Sequence, residues 1–239
     1  MAYLRDTKLD KHVGKELLAK NNERDKDRKP SGKLSASMLG DPLQWQVLKW
    51  LGVPRPEIDE YVVRKFLRGT QIEEWLVSQI DGLVEKQKMV EYKEAIGYID
   101  ALVDTKDWDF KMGIIPVEIK SISNAKFRRI MEEGTPQRGH ELQAGFYALA
   151  HGSPYYAVVY VAADDLRVEV FARKTEEIKD EIDWIISLFN EAIAKKIIPP
   201  FEANEVWQKS KKYNKYPDFM ELGGEELKIK AKELYGNKT

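Results

Sequence analysis

The spacing of apolar residues in the first third of the chain is helical. It predicts a helix over about residues 37–51, with Ser37 as its cap and a break at Gly40-Asp41-Pro42. A longer helix is predicted over about residues 57–80, in one piece or in two pieces around Gly69. The apolar residues that share one face of this second helix are Ile72, Trp75, Leu76 and Ile80.

Short runs of β-branched residues replace the helical spacing in the centre of the chain. Residues 94–104 and 114–123 are rich in Ile and Val and are bounded by turn residues, which predicts two strands. Residues 105–113 between them have the composition of a hairpin connection. Two further strands are predicted over residues 155–173, on either side of Ala163-Asp164-Asp165.

Helical spacing returns between and after these strands. A helix is predicted over about residues 138–150, with Leu142, Phe146 and Leu149 on one face, and an amphipathic helix over residues 175–196. The order helix, strand, strand, helix, strand, strand, helix predicts the α/β class. We expect a central mixed β-sheet of about four or five strands flanked by α-helices.

The two ends of the chain differ in composition from its middle. Residues 21–33 have the composition of a linker, with Pro30 and Gly32, so we expect the ordered part to begin near Leu34. The predicted division is a charged N-terminal segment over 1–33 that is flexible or helical, a core domain over 34–198, and a basic, aromatic C-terminal extension over 199–239.

Composition narrows the class of protein. Of the 239 residues, 43% are hydrophobic and 33% are charged, and none is cysteine, which excludes disulfides and thiolate metal sites. No apolar run approaches the roughly 18 residues that a membrane span needs. The N-terminus lacks the apolar stretch of a secretion signal, so we expect a cytoplasmic protein with no membrane partner. The net charge of −1 gives no global basic field, although a local basic groove remains compatible with it.

One Glu-x-Lys triplet differs from the others in its setting. Such triplets recur in this highly charged chain, for example at Glu91 and Glu226, where they are typical of solvated surface. Glu118-Ile119-Lys120 instead lies inside the most strand-like run of the sequence. Because side chains alternate along a strand, Glu118 and Lys120 share one face, and burying both without partners is costly.

A carboxylate on the neighbouring strand suggests a partner for this triplet. Asp100 lies in a similarly apolar context, and pairing of the two strands brings it towards Glu118. Two adjacent carboxylates repel unless a proton or a cation lies between them. Oxygen ligands without cysteine favour a hard cation, Mg²⁺ or Mn²⁺. On these residues alone, an ordinary pair of charges on an edge strand remains an equal alternative.

Further residues resemble successive motifs of the PD-(D/E)XK nuclease superfamily. Gly97-Tyr98-Ile99-Asp100 resembles its Gly-x-x-Asp strand, and Val117-Glu118-Ile119-Lys120 its Glu-x-Lys strand. The segment from His140 to Tyr147 is similar to the His-x-x-Gln-x-x-x-Tyr helix of its RecB-like exonuclease branch. Gly69-Thr70-Gln71-Ile72-Glu73 looks like the first-helix motif of that branch. The resemblance covers about residues 34–165, and it implies a restriction-endonuclease-like core.

The resemblance also implies metal ligands. Asp100 and Glu118 would bind Mg²⁺ or Mn²⁺ together with the backbone carbonyl of Ile119, and Glu73 would bind directly or through water. Glu74 competes with Glu73 for this role, and Glu73 is preferred because it lies four residues after Gly69.

Other residues acquire catalytic roles from the same resemblance. Lys120 would orient or deprotonate the attacking water and offset charge on the phosphate. Gln143 and Tyr147 would position Lys120 and the phosphate, with His140 nearby. Packing is the alternative role for Gln143 and Tyr147, and simple surface exposure is the alternative for His140.

The chain departs from many RecB-like exonucleases in lacking the cysteines that hold their iron-sulfur cluster. The corresponding stretches, about residues 37–42 and 199–217, contain none, so no cluster is expected. Packing by four aromatic residues is proposed to replace its clasping role: Trp45, Trp207, Tyr213 and Tyr216.

Two groups of basic residues are candidates for contact with nucleic-acid phosphates. The first flanks the connection before the Gln helix and comprises Lys126, Arg128, Arg129 and Arg138. The second, in the C-terminal tail, comprises Lys209, Lys211, Lys212 and Lys215, interleaved with Tyr213 and Tyr216. Solvated loop charge is an equal alternative for the tail.

The sequence thus predicts a Mg²⁺- or Mn²⁺-dependent deoxyribonuclease with DNA as its partner. An exonuclease acting in recombination, repair or mobile-element processing is favoured. The alternatives are a structure-specific or site-specific endonuclease, and a non-catalytic DNA-binding protein on the nuclease fold.

Overall fold

The computed structural model of the protein describes residues 7–26 and 32–237. Within these ranges, seven α-helices surround one six-stranded sheet. The helices are α1 (Lys8–Lys26), α2 (Leu43–Trp50), α3 (Glu60–Gln79), α4 (Asn124–Glu133), α5 (Arg138–His151), α6 (Glu176–Ala194) and α7 (Gly224–Gly236). The strands are β1 (Leu34–Ser35), β2 (Leu83–Tyr92), β3 (Ala95–Asp104), β4 (Ile114–Ile122), β5 (Tyr155–Ala162) and β6 (Val168–Lys174). The predicted α/β class, a mixed sheet flanked by helices, is confirmed.

Strand β3 is the centre of the pairing that positions the site. One edge pairs antiparallel with β2 along nearly its whole length, from Val103 opposite Leu83 to Ala95 opposite Tyr92. A strand has only two edges, so β1 and β4 share the other one. There β1 pairs parallel with the start of β3, and β4 pairs antiparallel with its end.

The remaining strands extend the sheet beyond β4. Strand β5 pairs parallel with β4, and β6 pairs antiparallel with β5. A parallel pair needs a crossover connection, which α4 and α5 supply. The crossover places the first turns of both helices near the carboxyl end of β4, where Lys120 lies.

The two faces of the sheet bury different apolar clusters. Helix α3 covers one face, where Ile72 and Leu76 join Val117 and Ile119 of β4. Helices α2, α5 and α6 cover the other face in a larger cluster. Because side chains alternate along β4, Glu118 and Lys120 belong to the face that α5 covers.

The structure corrects several element predictions in the centre of the chain. Strand β2 was not predicted, because nearly all its side chains are exposed and its sequence shows no period-two pattern. Helix α4 lies where only a connection was expected, since it buries just Phe127 and Ile130. The sheet therefore has six strands among the described residues, not four or five. Helix α3 is one continuous piece, capped by Asp59.

The predictions for the N-terminal region also need correction. Ser37 caps no helix: it lies within a 3₁₀ turn, Ala36–Met38, and α2 begins after Pro42. The ordered part begins before Leu34, because α1 packs on α3 and Arg64 pairs with Asp10 at 2.9 Å. Of the predicted linker, residues 21–26 belong to α1 and residues 27–31 lie outside the described residues.

The C-terminal extension packs against the rest of the fold. Tyr216, Leu227 and Ala231 are buried in the same cluster as Trp45 of α2.

The predicted domain limits remain predictions. None of the helices in the described ranges is long and apolar enough to cross a membrane.

Candidate active site

The site lies where β4 separates from β3. Val117 is the last residue of β4 that pairs with β3, opposite Ala101. Beyond it, the Asp100 side chain takes the place of the partner backbone, and its Oδ2 accepts a hydrogen bond of 2.8 Å from the Ile119 N–H. The N–H and C=O of one strand residue point to the same edge, so the Ile119 carbonyl also faces this gap.

Glu118 is the most buried charged residue of the site. Its side chain is 0% exposed, and Lys120 Nζ forms an ion pair with it while remaining 30% exposed itself. No hydrogen bond of normal geometry reaches either carboxylate oxygen of Glu118. A buried carboxylate with one close cation and no other donor is an expensive arrangement, which indicates that a further ligand belongs here.

Helix α3 brings the third carboxylate from the opposite side. Gly69 lies beside β4, where an added Cβ would meet Ser121 Oγ at an ordinary contact distance of 3.5 Å. One turn later, Glu73 is partly buried and accepts a 2.8 Å hydrogen bond from Gln87 Nε2, whereas Glu74 is exposed. Of the two competing residues, Glu73 is the one that faces the site.

Burial raises the pKa of all three carboxyl groups. Desolvation is the largest cause, and repulsion from Asp100 adds to it at Glu118 and Glu73, whose pKa values rise to about 8 and about 7. Desolvation also raises the pKa of Asp100, although Lys120 and the Ile119 N–H act to lower it. Desolvation alone would lower the pKa of Lys120, but the three carboxylates outweigh it and raise that pKa.

Helix α5 adds two polar residues beside the carboxylates. Gln143 Nε2 donates a 2.7 Å hydrogen bond to Tyr147 Oη, as expected for neighbours one helical turn apart. The Tyr147 ring packs against Gly97, where a Cβ would lie 2.5 Å from a ring carbon. The charges of Glu118 and Asp100 both raise the pKa of Tyr147, after desolvation, so the hydroxyl lies within their field.

His140 is held at the start of α5. Its Nδ1 lies 2.8 Å from Tyr160 Oη, which also accepts a 3.0 Å hydrogen bond from the Gln137 N–H. Desolvation, followed by the charges of Lys120 and Lys126, lowers the pKa of His140 to about 3. The imidazole is therefore neutral near pH 7, and it lies within the field of Lys120.

The oxygen atoms of the site differ in how well they are arranged to hold a divalent cation. Among the described residues, no three acidic or histidine side chains are arranged to hold one ion between them. Asp100 and Glu118 are close enough for their charges to interact, and Lys120 is the close cationic partner of Glu118. Two carboxylates and a backbone carbonyl fit Mg²⁺, which keeps several waters and commonly uses one or two protein carboxylates. Glu73 then belongs to the outer part of the site.

A cleft of about 780 Å³ opens onto these residues. At one end it is lined by Asp100, Gln87, Gln143 and Tyr147, and at the other by Ser35, Ser37 and residues of α2. Tyr98, 53% exposed, also lines it. The cleft gives a solvent path to Asp100.

The four basic residues predicted to lie beside the site differ in their exposure and in their ion pairs. Arg138 is engaged by Glu141 at 3.1 Å and by Glu181, and Arg129 pairs with Glu133 at 3.2 Å. Arg128 is exposed on α4, and no ion pair involves it among the described side chains. Lys126 is partly buried, and desolvation lowers its pKa despite the charge of Glu205.

The aromatic clasp, which is the predicted packing of Trp45, Trp207, Tyr213 and Tyr216, is present in part. Trp45 stacks on Phe201 at 5.9 Å and contacts Trp207 at 6.1 Å between ring centroids. Tyr216 is buried, but Tyr213 is 57% exposed, so its inclusion in the clasp was wrong. Lys215 lies over the Trp45 ring and pairs with Asp41 at 2.5 Å, which makes this tail lysine part of the clasp.

Sequence reasoning missed three residues of the site. Gln87 escaped because it lies on β2, a strand whose exposed sequence gave no signal. Tyr160 and Tyr98 were counted as ordinary strand residues. Their register could have been informative: Tyr160 lies opposite Lys120 in the parallel β4–β5 pair.

Among solved structures, an alkaline exonuclease from Laribacter hongkongensis has a similar fold, with a TM-score of 0.54 and 16% identity over 69% of this chain and 89% of that chain. The complex of that exonuclease with dAMP has a TM-score of 0.50 and 17% identity, over 69% of this chain and 91% of that chain. The protein SSO0001 has a TM-score of 0.50 and 17% identity, over 85% of this chain and 94% of that chain. No protein-family model and no curated protein gave a match to the sequence. At these identities the likeness shows a shared fold.

Proposed function

We propose that this chain is a Mg²⁺- or Mn²⁺-dependent DNA nuclease, and that it acts as a RecB-like exonuclease on DNA ends in recombination, repair or mobile-element processing. The observation that carries the proposal is the Glu118 carboxylate, which is fully buried beside Asp100 and has the Lys120 ammonium as its close cationic partner. Such a group is costly in the metal-free protein and becomes favourable when a cation binds it.

The proposed ligands are Asp100, Glu118 and the Ile119 carbonyl, with Glu73 acting through water. These residues would hold a Mg²⁺ or Mn²⁺ ion, which would supply a coordinated water of lowered pKa and positive charge for the phosphate oxygens. No iron-sulfur cluster is part of the proposal, because the chain has no cysteine.

Lys120 is the proposed catalytic residue closest to the reacting phosphate. Its ammonium group contacts Glu118 and remains partly exposed towards solvent, so it is able to meet a substrate. In that position it orients the attacking water and offsets negative charge that builds up on the phosphate. Gln143 and Tyr147 hold each other and support Lys120 and the phosphate from α5. His140, which is neutral and is held by Tyr160, supports Lys120 from the start of α5.

Phosphate contacts are proposed for the first turns of α4. Arg128 is exposed and extends from the helix that directly follows β4. The charge of Lys126 acts on His140, and Lys126 lies within the field of Glu205. Arg129 and Arg138 are weaker candidates because each is paired with a glutamate. The neighbour with dAMP bound is an exonuclease, which supports a nucleotide as the ligand of this fold.

A cleavage assay on matched DNA substrates tests the proposal. Linear duplex, linear single-stranded and covalently closed circular DNA are incubated with Mg²⁺, Mn²⁺ or EDTA. We expect the linear substrates to be shortened in the presence of either metal, and to remain intact in EDTA. Cutting of the closed circle would replace the exonuclease by an endonuclease. Intact DNA under every condition, together with DNA binding, would instead make the chain a non-catalytic binding protein.

A further inference from the structure

Gln87 makes an unusual contact for a residue on an exposed edge strand. Its Nε2 donates a 2.8 Å hydrogen bond to Glu73 Oε1, which joins β2 to α3 across the end of the cleft. Gln87 lines the cleft together with Asp100, and Glu73 lies within the field of Asp100 and Lys120.

The backbone of Gln87 is held in a conformation that few side chains adopt. Its φ is +52°, although it lies in the interior of a ten-residue strand. Lys86 pairs with Ala101 and Lys88 with Ile99, so Gln87 lies opposite Asp100. A left-handed residue other than glycine costs free energy and persists where its surroundings fix it, commonly at functional sites.

The strained backbone and the hydrogen bond have a common consequence. A glycine at this position would relieve the strain, but it would remove the donor that reaches Glu73. With Oε1 occupied by an amide, Glu73 has one oxygen left for other partners. This arrangement agrees with the finding that no three carboxylates are arranged around one ion in the described residues.

We propose that Gln87 is a positioning residue of the cation site, which fixes the Glu73 carboxylate so that it binds a water ligand of the cation and not the cation itself. This inference rests on the proposed function for the identity of the cation. Groups that orient the outer part of a metal site typically change metal affinity about 10- to 100-fold when they are removed.

Binding of Mn²⁺ alone tests the inference without DNA. The full chain is titrated with Mn²⁺, and the free ion is followed by its paramagnetic resonance signal. Gln87→Met keeps the side-chain length and the left-handed strain but loses the donor. Gln87→Gly loses the donor and relieves the strain. We expect both variants to bind Mn²⁺ about 10-fold more weakly, while the thermal midpoint of Gln87→Gly stays equal to or above that of the wild type.

A matched control separates strain from positioning. Lys196 has a φ of +53° in the turn after α6, away from the site. Lys196→Gly should therefore raise the thermal midpoint as a relief of strain does, with no change in Mn²⁺ affinity. Wild-type affinity in Gln87→Met would overturn the inference.

A double-mutant cycle with Glu73→Gln decides whether Gln87 acts through Glu73. We expect Gln87→Met to cause no further loss of Mn²⁺ affinity in the Glu73→Gln background. A full additional 10-fold loss there would overturn the inference, and so would an absence of Mn²⁺ binding in the wild type. If the cycle shows the expected coupling but the wild type leaves DNA intact, the inference on Gln87 stands and the proposed nuclease function is overturned.

Discussion

Asp100 Oδ2 accepts a 2.8 Å hydrogen bond from the backbone N–H of Ile119, at the place where β4 leaves β3. One carboxylate oxygen thereby replaces a missing strand partner, while the same carboxyl group interacts with Glu118. The contact also fixes the orientation of the Glu118-Ile119-Lys120 segment relative to Asp100. Structure and proposed chemistry therefore depend on the same side chain, and suitable substitutions should separate the two.

Two substitutions of Asp100 should differ in stability but not in activity. Asp100→Asn keeps an oxygen that can accept from Ile119, whereas Asp100→Ala leaves that buried N–H unsatisfied at a cost of about 1–3 kcal/mol. Both remove the charged ligand, so we expect both to reduce cleavage by at least about 100-fold. Urea unfolding and a cleavage assay measure the two effects. Equal stability of the two variants would contradict the structural role of the hydrogen bond, and wild-type cleavage by either would remove Asp100 from the site.

Lys120→Ala should abolish cleavage but leave the metal site intact. Loss of a group that orients water and offsets phosphate charge typically reduces the rate by about 10²- to 10⁴-fold. Mn²⁺ affinity should be unchanged or higher, because the cation no longer competes with the ammonium for Glu118. Lys228→Ala, from the surface triplet Glu226-x-Lys228 on α7, is the matched control and should cleave normally. An active Lys120→Ala enzyme would show that the triplet is merely structural.

The raised pKa values of Glu73 and Glu118 predict a pH dependence of stability in EDTA. Between the ordinary carboxyl pKa and the raised values of about 7 and about 8, the folded state holds more protons than the unfolded state. The metal-free protein should therefore lose stability as the pH rises from about 5 to about 8. Bound Mg²⁺ requires ionised carboxylates, so its stabilising effect should grow over the same range.

Thermal unfolding with EDTA or Mg²⁺ at about pH 5.5, 7 and 8 checks this prediction. Glu73→Gln is the control, and it should flatten the EDTA profile below about pH 7, the raised pKa of Glu73. A thermal midpoint in EDTA that rises over this range would show that the carboxylates are not desolvated as the structure places them.

Gly97→Ala should disturb the site through packing. The added Cβ would lie 2.5 Å from a Tyr147 ring carbon and 2.8 Å from the Ala36 Cβ, so the ring must move. Overpacking of this kind costs about 1–3 kcal/mol. Displacement of Tyr147 also breaks its contact with Gln143, so cleavage should fall together with stability. Gly139→Ala, whose Cβ meets its nearest neighbour at an ordinary 3.7 Å, is the control for both measurements.

Arg128 and Arg138 should differ in their contribution to DNA binding. Arg128 is exposed, while Arg138 is paired with Glu141 and Glu181. If Arg128 contacts one phosphate, Arg128→Ala should reduce the slope of log affinity against log salt by about 1, and Arg138→Ala should leave the slope nearly unchanged. Fluorescence anisotropy with labelled DNA in Ca²⁺ or EDTA measures both slopes. The opposite ranking would place the DNA on the α6 side of the fold.

Local patterns were sufficient for the strands and helices that carry the motifs. The apolar runs around Asp100 and Glu118 predicted β3 and β4, because a buried strand leaves a strong signal of β-branched residues. Helices with a full apolar face, α5 and α6, were predicted almost to their ends. By contrast, β2 and α4 bury few side chains, and their stability comes from pairing with β3 and packing on β5, neither of which is visible in a local window.

The sequence by itself determined which chemical groups are available: Asp100, Glu118 and Lys120 on two adjacent strands, Gln143 and Tyr147 one turn apart on a helix, and no cysteine for a cluster. The tertiary structure decided which of them meet. Divergence of β4 from β3 gave Asp100 its backbone partner, burial enclosed Glu118 beside Lys120, and an unpredicted strand brought Gln87 to Glu73. These relations depend on contacts between residues distant in the chain, whose energies arise only when the sheet has formed.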